Sequence, residues 1–466
     1  MIKKILFFSA IILVASFPQS LKTKIDNILK DKFFDRCLIA IQVEDMTTNK
    51  TLFKKNEKML LHPASNMKII TTTTGLIYLG PDYEFKTDLY YDGFVSNDTL
   101  NGNLYFVGGC DPDFITQDFY GFVDAIKTLN ISVINGNIYG DISFKDSLLW
   151  GNGWMWDDDP SFDSPYLSAL NLNDNCVEVI VQQSDYLDQP TVSFNPNTNY
   201  VSVKNQITND GTKKFEISRN WLERKNEIIV KGKYPKSIKY TSEFVNVLEP
   251  AKYFLTVFSE VLDSNNLKLI GNVGIKKLPE QIILLNSFNR KYSDIVDNLN
   301  KTSDNLSAEM TLLALAEKFY GKPANAKNGI YVIDKMVELV GLKPEDYRLV
   351  DGSGVSHYNV VTAELLSAIL KYFYQERPEL YTILYNSFPI AGVDGTLENR
   401  MRNTLAEKNV HAKTGTITGV STLSGYVTSK KNHTLAFSIM IQNYVGSSSK
   451  AKEVQDQICK ILAEHK

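Results

Sequence analysis

Four cysteines in a chain of 466 residues are too few to staple it together, so its stability must come from apolar cores. Histidine is equally scarce: His62, His357, His411, His433 and His465 lie far apart, with no His-x-x-x-His or Cys-x-x-Cys spacing. No zinc site, and no other metal or cofactor, is expected. Charge of one sign is not in excess, since 50 lysines and arginines face 53 acids for a net −3. No block is strongly basic, which argues against a nucleic-acid protein that binds by neutralising phosphates. No apolar run reaches the roughly 20 residues of a membrane span. What is present is an ordinary globular balance, 43% hydrophobic and 22% charged. At about 150 residues per domain the length predicts roughly three domains.

The chain opens with Lys3 and Lys4, the apolar run Ile5–Phe17, then Pro18-Gln19-Ser20. A positive start and a short apolar run read as a signal peptide over residues 1–20, so an exported protein is expected. No cysteine follows that run to carry a lipid anchor. Export makes Cys37, Cys110, Cys176 and Cys459 candidates for pairing, with buried free thiols as the alternative. Cys37–Cys459 is the pair to test if the chain ends pack together.

Leu21, Ile25, Ile28, Leu29 and Phe33 predict a helix over 21–35, followed by a hairpin from Cys37 to Phe53 and a helix starting near Ser65. From about Phe85 short β-like runs separated by Asn-Gly and Asp-Gly turns take over. Asn101-Gly-Asn-Leu-Tyr and Asn135-Gly-Asn-Ile-Tyr form a weak repeat, read as two related hairpins. Helices are expected at 249–262, 304–319, 325–340 and 362–375. Three strands (411–417, 423–428, 434–442) and a helix over 448–463 end the chain. The front hairpin and the three last strands are expected to share one helix-flanked sheet. This divides the chain into a split domain (21–85 with 286–466), an inserted β-rich domain (86–189 with 241–285) and a further small β insertion (190–240).

Three short patterns can carry chemistry. Ser65-Asn66-Met67-Lys68 puts a hydroxyl and an amine on one helix face, and a neutral amine can serve a serine nucleophile as base. Ser447-Ser-Ser-Lys450 has the same spacing, but Ser65 opens an apolar helix, whose N-terminal field favours developing negative charge. Lys413-Thr414-Gly415-Thr416 occurs once, on a predicted strand. Its lysine and two hydroxyls suit a carboxylate, and its glycine admits a close backbone. Ser303-Asp304-Asn305 stands at the start of the strongest internal helix. Ser193, Ser264 and Ser287 begin similar SxN triplets without that context.

The ordered set resembles the penicillin-recognising serine enzymes. Ser65 and Ser303 are too far apart for a simple serine β-lactamase, which is kept as an alternative along with a non-catalytic wall-binding scaffold. A large insertion there resembles the D-alanyl-D-alanine carboxypeptidase/endopeptidase family of low-molecular-mass penicillin-binding proteins. Supporting stretches are Val107-Gly-Gly-Cys-Asp-Pro, Gly153-Trp-Met-Trp-Asp-Asp, Ser164-Pro-Tyr-Leu-Ser-Ala-Leu-Asn-Leu-Asn, Asp351-Gly-Ser-Gly-Val-Ser, Ala391-Gly-Val-Asp-Gly-Thr-Leu and Ala412-Lys-Thr-Gly-Thr. Two departures are visible: His357 where arginine is more usual, and Cys110 where glycine is.

The resemblance implies an α/β (α+β) transpeptidase-like domain, an antiparallel sheet flanked by helices, with inserted β-rich domains. It implies a carboxypeptidase acting on peptidoglycan stem peptides on the periplasmic or cell-wall side of the bacterial inner membrane, with β-lactams as acylating inhibitors. Ser65 is then the nucleophile, Lys68 its base, favoured neutral by burial and by Lys413, and Ser303 the proton relay to the leaving amine. Asn305 would hold substrate backbone, while Lys413, Thr414, Gly415 and Thr416 would form the carboxylate-binding strand. The Ser65 and Thr416 N–H groups would make the oxyanion hole. Asp351 and Ser353 would support the wall of the site. Trp154, Trp156, Asp157 and Asp158 either line the stem groove or pack between domains.

Overall fold

In the computed structural model, residues 20–184, 189–209 and 214–466 are described. The expected signal peptide lies outside them except for Ser20, which accepts a bond from the Thr23 amide and starts the first helix, Leu21–Ile28. That helix ends earlier than its pattern predicts. Asp31 bonds the amide of Phe33 and restarts the chain as a 3₁₀ turn, Lys32–Asp35, because a short acidic side chain competes for backbone donors.

The chain ends meet in one five-stranded antiparallel sheet. Its order is His411–Ile417, Val420–Thr428, Thr434–Gln442, Leu38–Asp45, Lys50–Lys55. The inner strands are buried on both faces, which is why Leu38–Asp45 and Thr434–Gln442 are mostly apolar and Val420–Thr428 carries only small or apolar residues apart from Tyr426. Alternation still sorts their side chains. Ile39, Ile41, Val43, Phe437 and Ile439 join a core with Ile25, Val454 and Ile458 of the two terminal helices. Ala40, Ala436 and Met440 face the opposite core, built on Met67–Tyr78, Asn305–Tyr320 and Ala363–Glu376.

Although the ends pack together, Cys37 and Cys459 do not pair, and all four cysteines are free thiols. Helix Pro378–Ser387, absent from the sequence reading, begins with proline at its first position, where the missing N–H costs nothing.

Between helices Met67–Tyr78 and Asn305–Tyr320 the chain is β-rich. Strands Thr99–Asn101 and Val133–Asn135 pair in parallel, as do Leu104–Gly108 and Ile138–Asp141. The repeats are therefore stacked corners, not the two hairpins expected from their turn residues. A third corner, Ile270-Gly271-Asn272-Val273, extends the stack. Each asparagine carbonyl accepts the next corner's amide: Asn103 from Asn137 and Asn137 from Asn272, both at 2.9 Å. Glycine is required in these corners, since a Cβ on Gly136 would stand 1.9 Å from the Gly102 carbonyl oxygen. Two more three-stranded sheets follow. One joins Thr191–Asn195, Cys176–Gln182 and Tyr240–Asn246, and the other Ser202–Asn209, Glu227–Tyr234 and Lys214–Arg219.

Candidate active site

Ser65 sits in a 3₁₀ turn, Ala64–Asn66, that runs directly into helix Met67–Tyr78. Ala64 has φ +45°, a left-handed conformation that is costly for a residue with a Cβ. The turn is held on both sides. The Asn66 side chain donates through Nδ2 to the Lys413 carbonyl at 2.8 Å, and the Thr422 hydroxyl to the Pro63 carbonyl at 2.8 Å. The strand His411–Ile417 thus lies against the Ser65 backbone. A Cβ built on Gly415 would meet the Ser65 nitrogen at 2.9 Å and Thr422 Oγ1 at 2.2 Å.

Lys68 follows one turn later and is wholly buried. Its Nζ donates to Ser65 Oγ at 3.2 Å, to the Ser353 carbonyl at 2.8 Å and, by a short contact, to Asn305 Oδ1. Burial pushes its pKa down to about 8, although Asp304, Asp351, Glu309 and Asp163 pull it upward. Lys413 is also wholly buried, with Nζ 3.0 Å from the Thr414 carbonyl. Burial and then the Lys68 charge push its pKa well down.

Asp304 caps helix Asn305–Tyr320 with bonds to the Leu306 and Ser307 amides, 3.3 and 2.5 Å. Ser303 therefore stands one residue outside the helix, not at its cap, with φ +69°, and lines the cavity. Asn305 bonds the Asp163 carbonyl at 2.6 Å through Nδ2, so both ends of its amide are engaged.

A cavity of about 810 Å³ collects Ser65, Ser303, Asn305, Thr414, Gly415 and Thr416 on one surface. Lys68 and Lys413 lie beneath it. Asp351 and Ser353 are wholly buried as well. Asp351 accepts bonds from the Gly354 and Ser356 amides, the Asn359 side chain and the Trp154 indole. The tryptophans divide: Trp154 is buried against Asp351, whereas Trp156 is 71% exposed, its ring 5.0 Å from that of Trp221 and tilted by 37°. Asp157 and Asp158 line the cavity.

His357 also lines it, its ring 5.6 Å from that of His62, and burial with His62 holds its pKa below the usual value. Cys110 has φ +64°, so the glycine more usual at that position matches its backbone.

Sequence reasoning missed four contributors. Glu309 is buried and accepts the Gly352 and Ser353 amides at 3.0 and 2.8 Å. Burial and then Asp351 raise its pKa. Thr396 bonds Thr414 Oγ1 at 2.7 Å, and Arg400 and Lys452 line the cavity. A glutamate within an apolar helix, at position 309, was the one signal available for any of them.

Residues 21–465 match the model of the D-Ala-D-Ala carboxypeptidase 3 (S13) family. A D-alanyl-D-alanine carboxypeptidase of Actinomadura sp. (strain R39) is 29% identical over 462 residues, covering 96% of this chain and 85% of that protein. The crystal structure of penicillin binding protein 4 (dacB) from Haemophilus influenzae superposes with a TM-score of 0.82 at 24% identity, covering 94% of this chain and 99% of that one. The structure of the same protein complexed with a novel β-lactam gives 0.75 at 24% identity, covering 93% and 98%.

Proposed function

Because the chain belongs to the D-Ala-D-Ala carboxypeptidase 3 (S13) family and is a serine-type D-Ala-D-Ala carboxypeptidase, we propose that its reaction runs through an acyl-enzyme on Ser65. The observation that carries this reading is the buried Lys68 amine, 3.2 Å from Ser65 Oγ with its pKa pushed down to about 8. A buried ammonium is costly, and a base poised near neutral pH is what a serine nucleophile requires.

Ser65 Oγ attacks the carbonyl of the terminal D-Ala-D-Ala bond and gives its proton to Lys68. The oxyanion is received by the Ser65 and Thr416 N–H groups, where one donor is worth about 10²–10³ in rate. Collapse breaks the C–N bond, and Ser303 passes a proton to the departing amine. Asn305, released from Asp163, aligns the substrate backbone. Lys413 supplies positive charge from beneath while Thr414 and Thr416 hold the terminal carboxylate. Gly415, lacking a side chain, lets the strand approach Ser65. Water then adds to the ester carbonyl, returning the proton to Ser65 and freeing the shortened stem. A β-lactam acylates Ser65 by the same path.

The substrate is the peptidoglycan stem peptide, cut as a free stem and also as a cross-link. Among the described residues no helix is long and apolar enough to cross a membrane. With the apolar leader at residues 1–20, this supports export to the periplasmic or cell-wall side. Intact-mass measurement after penicillin, on wild type and Ser65→Ala, with D-Ala release assayed in parallel, tests the whole reading. Wild type should gain one penicillin mass and release D-Ala, and Ser65→Ala should do neither. Wild type without adduct or release would sink it. Rapid release of hydrolysed penicillin would mark a β-lactamase.

A further inference from the structure

A second groove, of about 490 Å³, adjoins the catalytic cavity, and Asp157, Asp158 and Ser161 line both. One wall of the groove is the loop that carries these three residues. The same loop reaches the reacting groups, since Asn305 bonds the Asp163 carbonyl at 2.6 Å. The other wall comes from the small inserted sheets: Ser218 of strand Lys214–Arg219, and Glu243 and Phe244 of strand Tyr240–Asn246. The two walls are fixed to each other. Buried Arg219 binds Asp159, and Asn246 Nδ2 bonds the Ser161 and Ser164 carbonyls at 3.3 and 2.8 Å. The groove is therefore preformed.

The aromatic side chains here do not belong to a core. Phe162 and Phe244 line the groove, both exposed, with ring centroids 5.6 Å apart. Trp156, the residue before Asp157, and Trp221, three residues after Ser218, form a second pair at 5.0 Å. None of the four joins an apolar core among the described residues. Exposed rings beside a groove offer stacking surfaces to the apolar faces of a ligand. The polar lining restricts that ligand further. Asp157, Asp158 and Glu243 line the groove, with no lysine or arginine in its lining among the described residues, so an anion is repelled. The carboxylates and the Ser161 and Ser218 hydroxyls accept bonds from hydroxyl groups. C–H faces for the rings and hydroxyl donors for the carboxylates are the two features of an uncharged sugar.

Peptidoglycan supplies such a group at a limited distance from the cut. The stem is cut at its C-terminal end and joined to the glycan at the other. Each extended residue covers at most about 3.6 Å, so three or four residues ahead of the cut keep the first sugar within roughly 15 Å of Ser65. The carboxyl of that sugar is consumed in the amide to the stem, so the sugar arrives uncharged. We propose that the groove between the 157–164 loop and the inserted strands is a subsite for the N-acetylated amino sugars of the glycan strand, with Phe244 and Trp221 as stacking surfaces. The preferred substrate is then a stem still attached to its glycan. This substrate assignment rests on the Ser65 reading and adds to it a binding role for the insertions.

The test compares kcat/KM for D-Ala release from a free pentapeptide stem and from the same stem on its disaccharide, in wild type, Phe244→Ala, Trp221→Ala and Trp221→Phe. Wild type should favour the sugar-bearing stem. Each alanine variant should lose about three- to tenfold on that substrate and little on the free stem, the scale of one aromatic contact. Trp221→Phe should keep most of the preference. In calorimetry, glycan strands stripped of their stems should bind Ser65→Ala protein, and bind it more weakly once Phe244→Ala is added. Equal kcat/KM for the two substrates in wild type would overturn the proposal and spare the Ser65 reading. So would equal losses on both substrates in the alanine variants, since the rings would then touch the stem, and so would stripped glycan that does not bind. Wild type inert to penicillin and to both stems, with stripped glycan still bound, would remove the Ser65 reading while the sugar subsite itself stood. Penicillin labelling reports that each variant is folded, and the wild-type preference and the Ser65→Ala titration decide the proposal if one is not.

Discussion

The Trp154 indole nitrogen donates to Asp351 Oδ2 across 3.0 Å, tying two stretches 197 residues apart at the loop that holds Lys68. Asp351 also accepts the Ser356 and Gly354 amides at 2.7 and 2.9 Å and the Asn359 side chain at 2.7 Å. The same loop supplies the Ser353 carbonyl that holds Lys68. Asp351→Ala strands four buried donors. At about 1–3 kcal/mol for each unsatisfied group, a loss of at least about 3 kcal/mol is expected in urea unfolding. Penicillin acylation should fall with it, since Lys68 loses its fixed partner.

The acylation rate should follow the neutral fraction of Lys68. Its pKa of about 8 places the rise below that pH and a plateau above it, with the rate at pH 7 about tenfold under the plateau. Lys68→Ala should lower acylation by about 10²–10⁴ and abolish that rise. The same shift acts on stability with a definite sign. Between about 8 and the ordinary 10.5, the unfolded chain binds the proton that the folded one has lost, so stability should increase with pH across that window. Stopped-flow acylation and urea melts against pH measure the two effects.

Gly415→Ala tests the close approach at the nucleophile. The new Cβ would meet Thr422 Oγ1 at 2.2 Å and the Ser65 nitrogen at 2.9 Å, so the strand must move away from Ser65. Because a misplacement of about 1 Å costs about 10² in rate, kcat/KM should fall by that order while the melting temperature changes little. Unaltered acylation would show that the strand yields without disturbing the oxyanion site.

Arg219 is wholly buried and binds Asp159 by a short contact, together with the Asn246 carbonyl at 3.1 Å. It links strand Lys214–Arg219 to the segment that leads toward the cavity. Arg219→Met leaves Asp159 buried and unpaired, for which a loss of about 3–5 kcal/mol is expected by calorimetry or denaturant unfolding.

Thiol chemistry separates the four cysteines. Burial pushes the Cys110 thiol up to about 12 and raises Cys176 and Cys459 as well, while Cys37 alone is partly open to solvent. Native protein treated with iodoacetamide should therefore label at Cys37 only, and unfolded protein at all four. Peptide mapping without reductant should find no Cys37–Cys459 linkage.

Much of the candidate site was legible because its parts are local. Ser65 and Lys68 are one helical turn apart, and Asp304 declares the helix that follows by its capping chemistry. Lys413 to Thr416 lie on a strand whose alternation and glycine are visible in the chain. The Asn-Gly corners were also found, but their partners were not. A turn sequence states that the chain reverses, whereas stacking in parallel depends on which distant corner arrives beside it, as Asn272 does beside Asn137.

Local pattern thus determined the longer helices, the inner strands and the three motifs, because burial periodicity and capping act over a few residues, but not the helices Phe119–Lys127, Tyr292–Lys301 and Pro378–Ser387. Only the tertiary structure decided that Lys68 is wholly buried, and that Lys413 is wholly buried too and not among the residues lining the cavity. It alone placed Glu309 behind the Ser353 loop and Lys452 on the lining of the cavity. Desolvation and charge proximity depend on what surrounds a group in space. Here the surroundings come from segments hundreds of residues apart, as in the 285 residues between Lys68 and the Ser353 carbonyl it holds. The sparse cysteines belong to the same account: three are packed into apolar surroundings as thiols, and the ends of the chain are joined by a sheet and two helices.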